Sequence, residues 1–446
     1  MSPGSGDDPL VQVHDLRKYY PQADGVLDKL VGESADVKAV DGVDLTVDRG
    51  ETLAIVGESG CGKSTLGRTL LNLEEVTGGS IVFGGDDVAG LSDREMRPYR
   101  RRMQMIFQDP LASLNPRQSV GSILTAPMEV HGIGNDGADR LERARDLLER
   151  VGLERGHVDR YPHQFSGGQQ QRVAIARALT VEPEFIVADE PTSALDVSVQ
   201  AQILNLLGEL QEELDIALLF ITHDLSVVRQ VADRVAVMYL GEIVETAPTK
   251  RLFAEPAHPY SAALLSAVPR IDPETRTDRT LLTGTVPSPI EPPTGCRFHT
   301  RCPAVIPPAE WGGDQPAFRA AFAFRNRLLD GEVDRDAAAA RLGTEDAERI
   351  ATYIIEQSLP VDIDELPADA AEAVREAARL AAAGDDDAAS ERVSEAFVSP
   401  CETDQPDRVP AIVPGSSAAD VVNADGGWAT CHRNDPDAPG TATIEE

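Results

Sequence analysis

No stretch of this chain approaches the roughly 20 consecutive apolar residues that a bilayer-spanning helix needs. The strongest run, Ile216 to Ile221, has the length of a strand, so any membrane attachment is expected to come through partner subunits. The first residues, Met1-Ser2-Pro3-Gly4-Ser5-Gly6-Asp7-Asp8, lack the basic and apolar regions of a secretory signal, and a cytoplasmic location is expected. Lysine is confined to Lys18, Lys29, Lys38, Lys63 and Lys250, and 75 acidic against 41 basic residues give a net charge of -34 spread along the chain. Without clustered cations, no nucleic-acid surface is expected. An acidic, lysine-poor surface stays hydrated in concentrated salt, where screening shortens to about 3 Å at 1 M. A salt-adapted host is therefore expected, an acidic appendage on an ordinary protein being the alternative. Cysteine is scarce, with 5 in 446 residues, and in a chain without an export signal disulfides are not expected. The length leaves room for two or three domains.

What is present is a phosphate-binding loop. Gly57-Glu58-Ser59-Gly60-Cys61-Gly62-Lys63-Ser64 follows the apolar run Leu53-Ala54-Ile55-Val56 and opens a helical stretch at Thr65, the strand, turn and helix context that such a loop needs. Glycines let the backbone wrap close to phosphate oxygens. Successive amides and the positive end of the following helix then face the β-phosphate, Lys63 reaches the β/γ oxygens, and Ser64 offers its hydroxyl to Mg²⁺. Cys61 reads as a small space-filling residue within the loop.

A second apolar run, Phe185-Ile186-Val187-Ala188, reads as a buried parallel strand ending in Asp189 and Glu190. In a doubly wound sheet that is where ligands bind. Asp189 is expected to hold Mg²⁺ through water, and Glu190 to accept a proton from the attacking water or orient it. A third strand, Leu218 to Thr222, ends in His223, within reach of a γ-phosphate. Phe165-Ser166-Gly167-Gly168-Gln169 reads as the start of a helix running to Leu179, where Ser166 and the glycine amides form a second anion site.

Together these motifs closely resemble the nucleotide-binding subunits of ABC transporters, and within them the oligopeptide/dipeptide importer ATPases. The resemblance implies an α/β P-loop ABC ATPase over residues 1–270, with a RecA-like core sheet, an antiparallel β subdomain and a helical subdomain at about 110–180 that meets a permease. It implies nucleotide contacts from Gly57, Ser59, Gly60, Cys61, Gly62, Lys63, Ser64, Thr65 and Asp189, with Tyr20 stacking on adenine and Tyr19 as the competing neighbour. Ser166, Gly167, Gly168 and Gln169 match the signature that binds the γ-phosphate held by the opposite subunit. Gln108, in Phe107-Gln108-Asp109-Pro110, matches the glutamine that touches Mg²⁺ and the water. Asp196, in Ser193-Ala194-Leu195-Asp196, matches the loop crossing the dimer interface, and His223 matches the switch histidine. Phe165 stands where the family usually has leucine, and Gln170 where arginine is common; neither change removes a phosphate contact.

The implied partners are two membrane permease subunits, an extracellular solute-binding protein acting indirectly, and a head-to-tail ATPase dimer formed with itself or a paralogue. Loop details make this chain look like the second ATPase of such a pair. A related nickel or sugar importer is the nearest alternative. A soluble, non-transport ABC ATPase is disfavoured by the single cassette, the lack of a long coiled coil and the importer-type extension.

That extension is carried by Ala257-His258-Pro259-Tyr260, the proline-rich stretch from Pro287 to Pro293, and Gly295-Cys296. It is expected over 271–303 and 401–446. Its thiols, Cys296, Cys302, Cys401 and Cys431, suit tetrahedral zinc or an iron–sulfur cluster, or are reduced without metal. The family pattern, matched from Gly295 to Pro303 and at Cys431-His432, implies a [4Fe–4S] cluster over Zn²⁺, because some members hold one. His299 and His432 are alternative ligands, expected rather as surface residues.

Between Cys302 and Cys401 lies an acidic helical insertion, 304–400, with no nucleotide or metal motif. It is read as a solvated elaboration, docking of a regulator or partner ATPase being the alternative. Ala347, Ile350, Ala351, Ile354 and Ser358 share a helical face with Thr344 as cap, and Pro367 to Ala383 reads as a helix ending at Gly384.

Overall fold

The structure is a computed structural model that describes residues 8–22, 36–193, 195–267, 282, 284–410 and 427–434. It divides into two compact units. The first takes Met1–Glu255, Pro289–Glu291 and Ala424–Gly427; the second takes the rest. The long segment of the first unit thus ends at Glu255, while the domain boundary expected at residue 270 lies outside the described residues, as does Ala194.

In the first unit, β1 (Val11–Pro21) and β2 (Asp36–Val47) pair antiparallel, with Val11 opposite Val47 and Tyr20 opposite Val37. Alternation buries Val11, Val13 and Leu16 while the residues between stay accessible, as a half-covered strand requires. After β3 (Thr52–Val56), the strands β4 (Gly78–Phe83) and β5 (Asp86–Asp87) return to complete a sheet in the order β2-β1-β4-β5.

The other strands are β6 (Met103–Ile106), β7 (Phe185–Asp189), β8 (Ala217–Ile221), β9 (Arg234–Tyr239) and β10 (Glu242–Pro248). They order as β10-β9-β3-β8-β7-β6, parallel except for β10. Every residue of β3, β7 and β8 is buried, which is why these strands read as unbroken apolar runs. Each fully buried Leu, Ile, Val or Phe contributes about 1.5–3 kcal/mol. Parallel pairing brings the C-terminal ends of β3, β7 and β8, and so Gly57, Glu190 and Thr222, to one edge of the sheet.

Three helices, Val120–Val130, Gly137–Arg150 and Gly167–Leu179, share one apolar cluster with that sheet: Leu124, Leu148, Phe165 and Ile175 join Ile186 and Phe220. At Gly67, in the helix Lys63–Leu70, an added Cβ would stand 2.8 Å from Ile221 Cδ1 and 2.9 Å from Val187 Cγ1. Glycine lets this helix approach the sheet closely.

Part of the acidic excess has a local structural use. Asp109, Asp136, Asp196, Asp224, Asp314, Asp334, Asp346 and Asp385 each sit at a helix N-cap and accept a hydrogen bond from a backbone amide. Such a cap contributes about 1 kcal/mol and complements the helix dipole.

In the second unit, Pro259–Ser266 is followed by the helices Gln315–Leu329, Arg335–Leu342, Ala347–Ser358, Ala368–Ala383 and Asp386–Ala396. Ala368–Ala383 packs between its neighbours through small side chains, Ala370, Ala373, Ala377 and Ala381 among them, which let the helices approach. Phe318, Phe322, Phe324 and Phe397 are fully buried. The insertion therefore carries its own aromatic core. The cap of Ala347–Ser358 is Asp346, not Thr344: the Asp346 carboxylate reaches the amides of Glu348 and Arg349, while Thr344 Oγ1 accepts from Asp346 N. The helix expected at Pro367 starts at Ala368, and Gly384 ends it at φ +81°. Arg408–Pro410 and Trp428–Thr430 pair antiparallel.

Candidate active site

The loop after β3 is held by backbone that leaves no room for side chains. Gly57 has φ +156°, and a Cβ there would stand 2.1 Å from the Met238 carbonyl oxygen; at Gly62, φ +107°, it would stand 2.0 Å from that of Ala39. Glycine is required at both positions. Lys63, only 6% exposed, donates from Nζ to the carbonyls of Gly57 and Glu58 at 2.9 Å each, which keeps the ammonium against the loop. Cys61 is buried, and burial pushes its thiol up, so it remains a neutral packing residue.

Three further strand ends supply the remaining groups. Ser64 Oγ donates to Asp189 Oδ1 at 2.8 Å. Burial pushes the Asp189 carboxyl up, against the opposing pull of that hydrogen bond, so a cation beside Ser64 and Asp189 would offset a desolvated negative charge. The pair fits Mg²⁺. Glu190 adopts φ +43°, left-handed backbone that costs a non-glycine residue of order 1–3 kcal/mol. Its amide donates to Ile221 O at 2.9 Å, and its carboxylate is bracketed: Gln108 Nε2 donates to Oε2 at 2.8 Å, and His223 Nδ1 lies 2.8 Å from Oε1. Since an ionised carboxylate only accepts, Nδ1 carries the proton and Nε2 is left to face outward.

Gln108, Glu190 and His223 line a cavity of about 410 Å³ with Ser59, Gly60, Cys61, Gly62, Lys63, Ser64 and Thr65, and Asp189 lies behind Ser64 outside that lining. The sequence reading missed the rest of the lining: Val37, Lys38 and Ala39 of β2, Leu240 and Gly241 beyond β9, and Pro289, whose carbonyl accepts from Lys38 N at 3.0 Å. The proline-rich stretch is thus pinned at Pro289. Val37 to Val40, a short mostly apolar run just before Asp41-Gly42, was the signal available.

Tyr20 stands beside this cavity. It is not among the lining residues; its hydroxyl bonds to Thr65, and the Lys18 ammonium sits 4.7 Å from its ring centroid. Tyr19, on the opposite face of β1, hydrogen-bonds Asp41.

The signature residues lie outside the cavity lining. Ser166 caps the helix Gly167–Leu179 in a reciprocal box with Gln169, and Ser166 and Gly167 are exposed. A Cβ on Gly168 would stand 2.4 Å from Val199 Cγ1, so this helix start is packed against the first turn of Val197–Leu214, capped by Asp196. Signature and Asp196 therefore share one accessible face. Gln170 donates to the carbonyls of Pro162 and Phe165 at 3.0 and 3.1 Å, bracing the signature turn, and Phe165 packs edge-on against His157.

In the second unit the four extension cysteines are gathered. Cys296 N donates to Cys401 O at 2.8 Å, and the thiols of Cys296, Cys302 and Cys401 are pushed up, first by burial. Cys431 and Cys302 lie close enough to Cys296 for their charges to add to that effect. Among the described residues, however, no three Cys, His, Asp or Glu stand in metal-holding geometry. His299 and His432 are not surface residues: both are buried, their ring nitrogens tied at 2.8 Å to the carbonyls of Cys296 and Asp404.

Comparison with known proteins agrees with this geometry. Residues 40–193 match the family described as ABC transporter, 244–307 match the oligopeptide/dipeptide transporter C-terminal region, and 315–411 match a domain of unknown function (DUF8228). The oligopeptide transport ATP-binding protein AppF of Bacillus subtilis is 52% identical over 301 residues, 67% of this chain and 90% of its own length. The chain belongs to the ATP-binding subunits of oligopeptide/dipeptide ABC importers. The dipeptide transport ATP-binding protein DppF of Haemophilus influenzae is 51% identical over 295 residues, covering 66% and 88% of the two chains. A relative from Brucella ovis reaches 55% over 298 residues. As a member of this importer family the chain binds and hydrolyses ATP with Mg²⁺, dimerises, and works with membrane permease subunits. Among its described residues no helix is long and apolar enough to cross a membrane.

Proposed function

We propose that this chain is the motor that drives uptake of oligopeptides or dipeptides, and that Glu190 is its catalytic base. The observation that carries the reading is the Glu190 carboxylate, held between Gln108 and His223 at the mouth of the phosphate loop. ATP seated on Gly60, Gly62, Lys63 and Ser64 closes one subunit onto the Ser166 face of the other, which completes each site. Glu190 then accepts the proton of the attacking water, Gln108 orients that water, and His223 reaches the γ-phosphate through its outward nitrogen. Mg²⁺ held by Ser64 and Asp189 would neutralise charge on the β- and γ-oxygens. Hydrolysis removes the shared phosphate and lets the pair open.

The dimer partner is a paralogous ATPase or a second copy, bound to two permeases at the cytoplasmic face and fed by an extracellular binding protein. The acidic, lysine-poor surface fits a salt-adapted host. The test is uptake of labelled peptides, nickel and sugars by cells whose only copy carries Glu190→Gln. Loss of peptide uptake alone supports the assignment, while unchanged peptide uptake refutes it.

The cysteines are read as ligands of a [4Fe–4S] cluster. Four thiols near enough to one another for their charges to interact suit it. When bound, it would brace residues 296–431 and supply a one-electron centre. Equal iron and sulfide in anaerobically purified protein supports this; zinc without sulfide decides against it.

A further inference from the structure

Two of the five lysines of this chain, Lys63 and Lys38, line the phosphate-loop cavity, and a third, Lys18, stands beside it at the Tyr20 ring. Lys63 and Lys18 are engaged: the first donates to two loop carbonyls, and the second lies 3.8 Å from Glu74. Lys38 differs. It is half-buried, and among the described residues no carboxylate or carbonyl engages its ammonium, although the chain holds 75 acidic residues. A cation withdrawn from water into a cleft needs a counter-charge, and a ligand that carries its own negative charge supplies one.

The backbone that carries Lys38 is tied on both sides. Lys38 N donates to Pro289 O at 3.0 Å, Asp41 N donates to Gly241 O at 2.9 Å, and Gly241 N donates to Cys61 O of the phosphate loop at 3.0 Å. A Cβ on Gly241 would stand 2.8 Å from Lys38 O, so β2 and this turn are in direct backbone contact. Pro289 is where the extension reaches β2: Pro289–Glu291 group with the nucleotide-binding unit, although the chain on either side belongs to the second. The locked φ of proline leaves the acceptor less freedom to drift.

The cavity also has a direction. Gln108, Glu190 and His223 mark the γ-phosphate end. The Tyr20 hydroxyl bonds to Thr65, and Tyr20 lies opposite Val37 on the β1–β2 ladder, which puts Val37 and Lys38 toward the Thr65 end. A nucleotide with its γ-phosphate at Glu190 and its β-phosphate at Lys63 runs its α-phosphate toward Thr65, and so toward Lys38.

We propose that Lys38 is a nucleotide-contacting residue whose ammonium meets the α/β part of the phosphate chain, and that Pro289 is the positioning residue through which the extension sets it. The inference deepens the reading of this loop as the ATP site and rests on it.

The full chain would be titrated calorimetrically with Mg²⁺-ADP and with a non-hydrolysable Mg²⁺-ATP analogue at one fixed salt concentration, so that screening is constant. Lys38→Gln is expected to weaken both about tenfold, the scale of one charge-assisted contact. Lys38→Arg keeps the charge and is expected to restore most of the affinity, while Lys250→Gln, at an exposed lysine of the helix Thr249–Ala254, should change nothing. Pro289→Gly frees the backbone and is expected to cost about threefold in the wild type but nothing when added to Lys38→Gln, a non-additivity that general loosening would not produce. If Lys38→Gln does not fold by circular dichroism, Lys38→Met, which keeps the aliphatic stem, carries the test. Wild type that binds neither nucleotide overturns the ATP-site reading and the proposal with it. Equal binding by wild type and Lys38→Gln, or a loss confined to the ATP analogue, overturns the proposal alone, as does an equal loss in Lys250→Gln. A Pro289→Gly loss that persists beside Lys38→Gln overturns the positioning role.

Discussion

Replacing Glu190 by glutamine tests whether the bracketed carboxylate is a base or only a spacer. The amide is nearly isosteric. Its oxygen can still accept from Gln108 Nε2, now 2.8 Å from Glu190 Oε2, while its NH₂ faces His223 Nδ1, which can switch tautomer and accept. The structural cost is thus about one exchanged hydrogen bond, roughly 1 kcal/mol. Lys63, Ser64 and Asp189 are untouched, and one negative charge beside the triphosphate is removed, so nucleotide affinity should hold or improve. Loss of a positioned base is worth about 10²–10⁴ in rate, which at ~1.36 kcal/mol per decade is about 2.7–5.5 kcal/mol of barrier. Phosphate release in a single-turnover assay should fall by that factor. Light scattering after size exclusion in high salt should show an ATP-dependent dimer that persists. Release within tenfold of wild type would refute the base assignment, and loss of ATP binding would refute the claim that the substitution is local.

Gly62→Ala forces a Cβ to 2.0 Å from the Ala39 carbonyl at φ +107°, a strain of about 1–3 kcal/mol, and should weaken ATP binding roughly tenfold or more in a fluorescent-nucleotide titration. Unchanged affinity would mean the loop can shift freely. Ser166→Ala removes a helix cap worth about 1 kcal/mol on an exposed face, and should spare nucleotide binding while reducing turnover at least tenfold; loss of binding would place Ser166 in its own chain's site. Burial lowers His258 to about 3, so its native state stays neutral while the unfolded chain protonates below about pH 6.5. Its contribution is fully present above that pH and is lost as pH falls toward 3, about 2 kcal/mol between pH 7 and pH 5. Denaturant midpoints of His258→Asn, which keeps a cap on the helix Pro259–Ser266, should lack that slope.

The parts of the nucleotide site that could be read in the sequence are those where chemistry is local. Loop glycines, the apolar runs of β3, β7 and β8, and the acids or histidine at their ends lie within a few residues of one another, and parallel pairing does the rest. Distances across the sheet carry no such signal. That Gln108 and His223 converge on the same carboxylate depends on the left-handed turn at Glu190, which nothing around a non-glycine residue announces. Strand alternation allows either of two adjacent tyrosines to face the phosphate loop, and only the fold shows that β1 directs Tyr20 to Thr65 and Tyr19 to Asp41. Thr344 and Asp346 are both good caps two residues apart, and propensity alone does not choose between them. The burial of His299 and His432 was hidden because it depends on packing around distant cysteines, across a segment whose own aromatic core is scattered from Phe318 to Phe397.

The Ser399 to Ile306 hydrogen bond spans 93 residues of sequence yet only 2.7 Å of space. A folded insertion with its ends together acts on the flanking chain as a tight turn. Unfolded, the same residues become a floppy tether, and closing it costs about 0.6 kcal/mol for each doubling of length, about 2.4 kcal/mol for the four doublings from a six-residue turn. Heat that melts these helices while sparing the ATPase would therefore loosen the Cys302–Cys401 junction roughly fiftyfold.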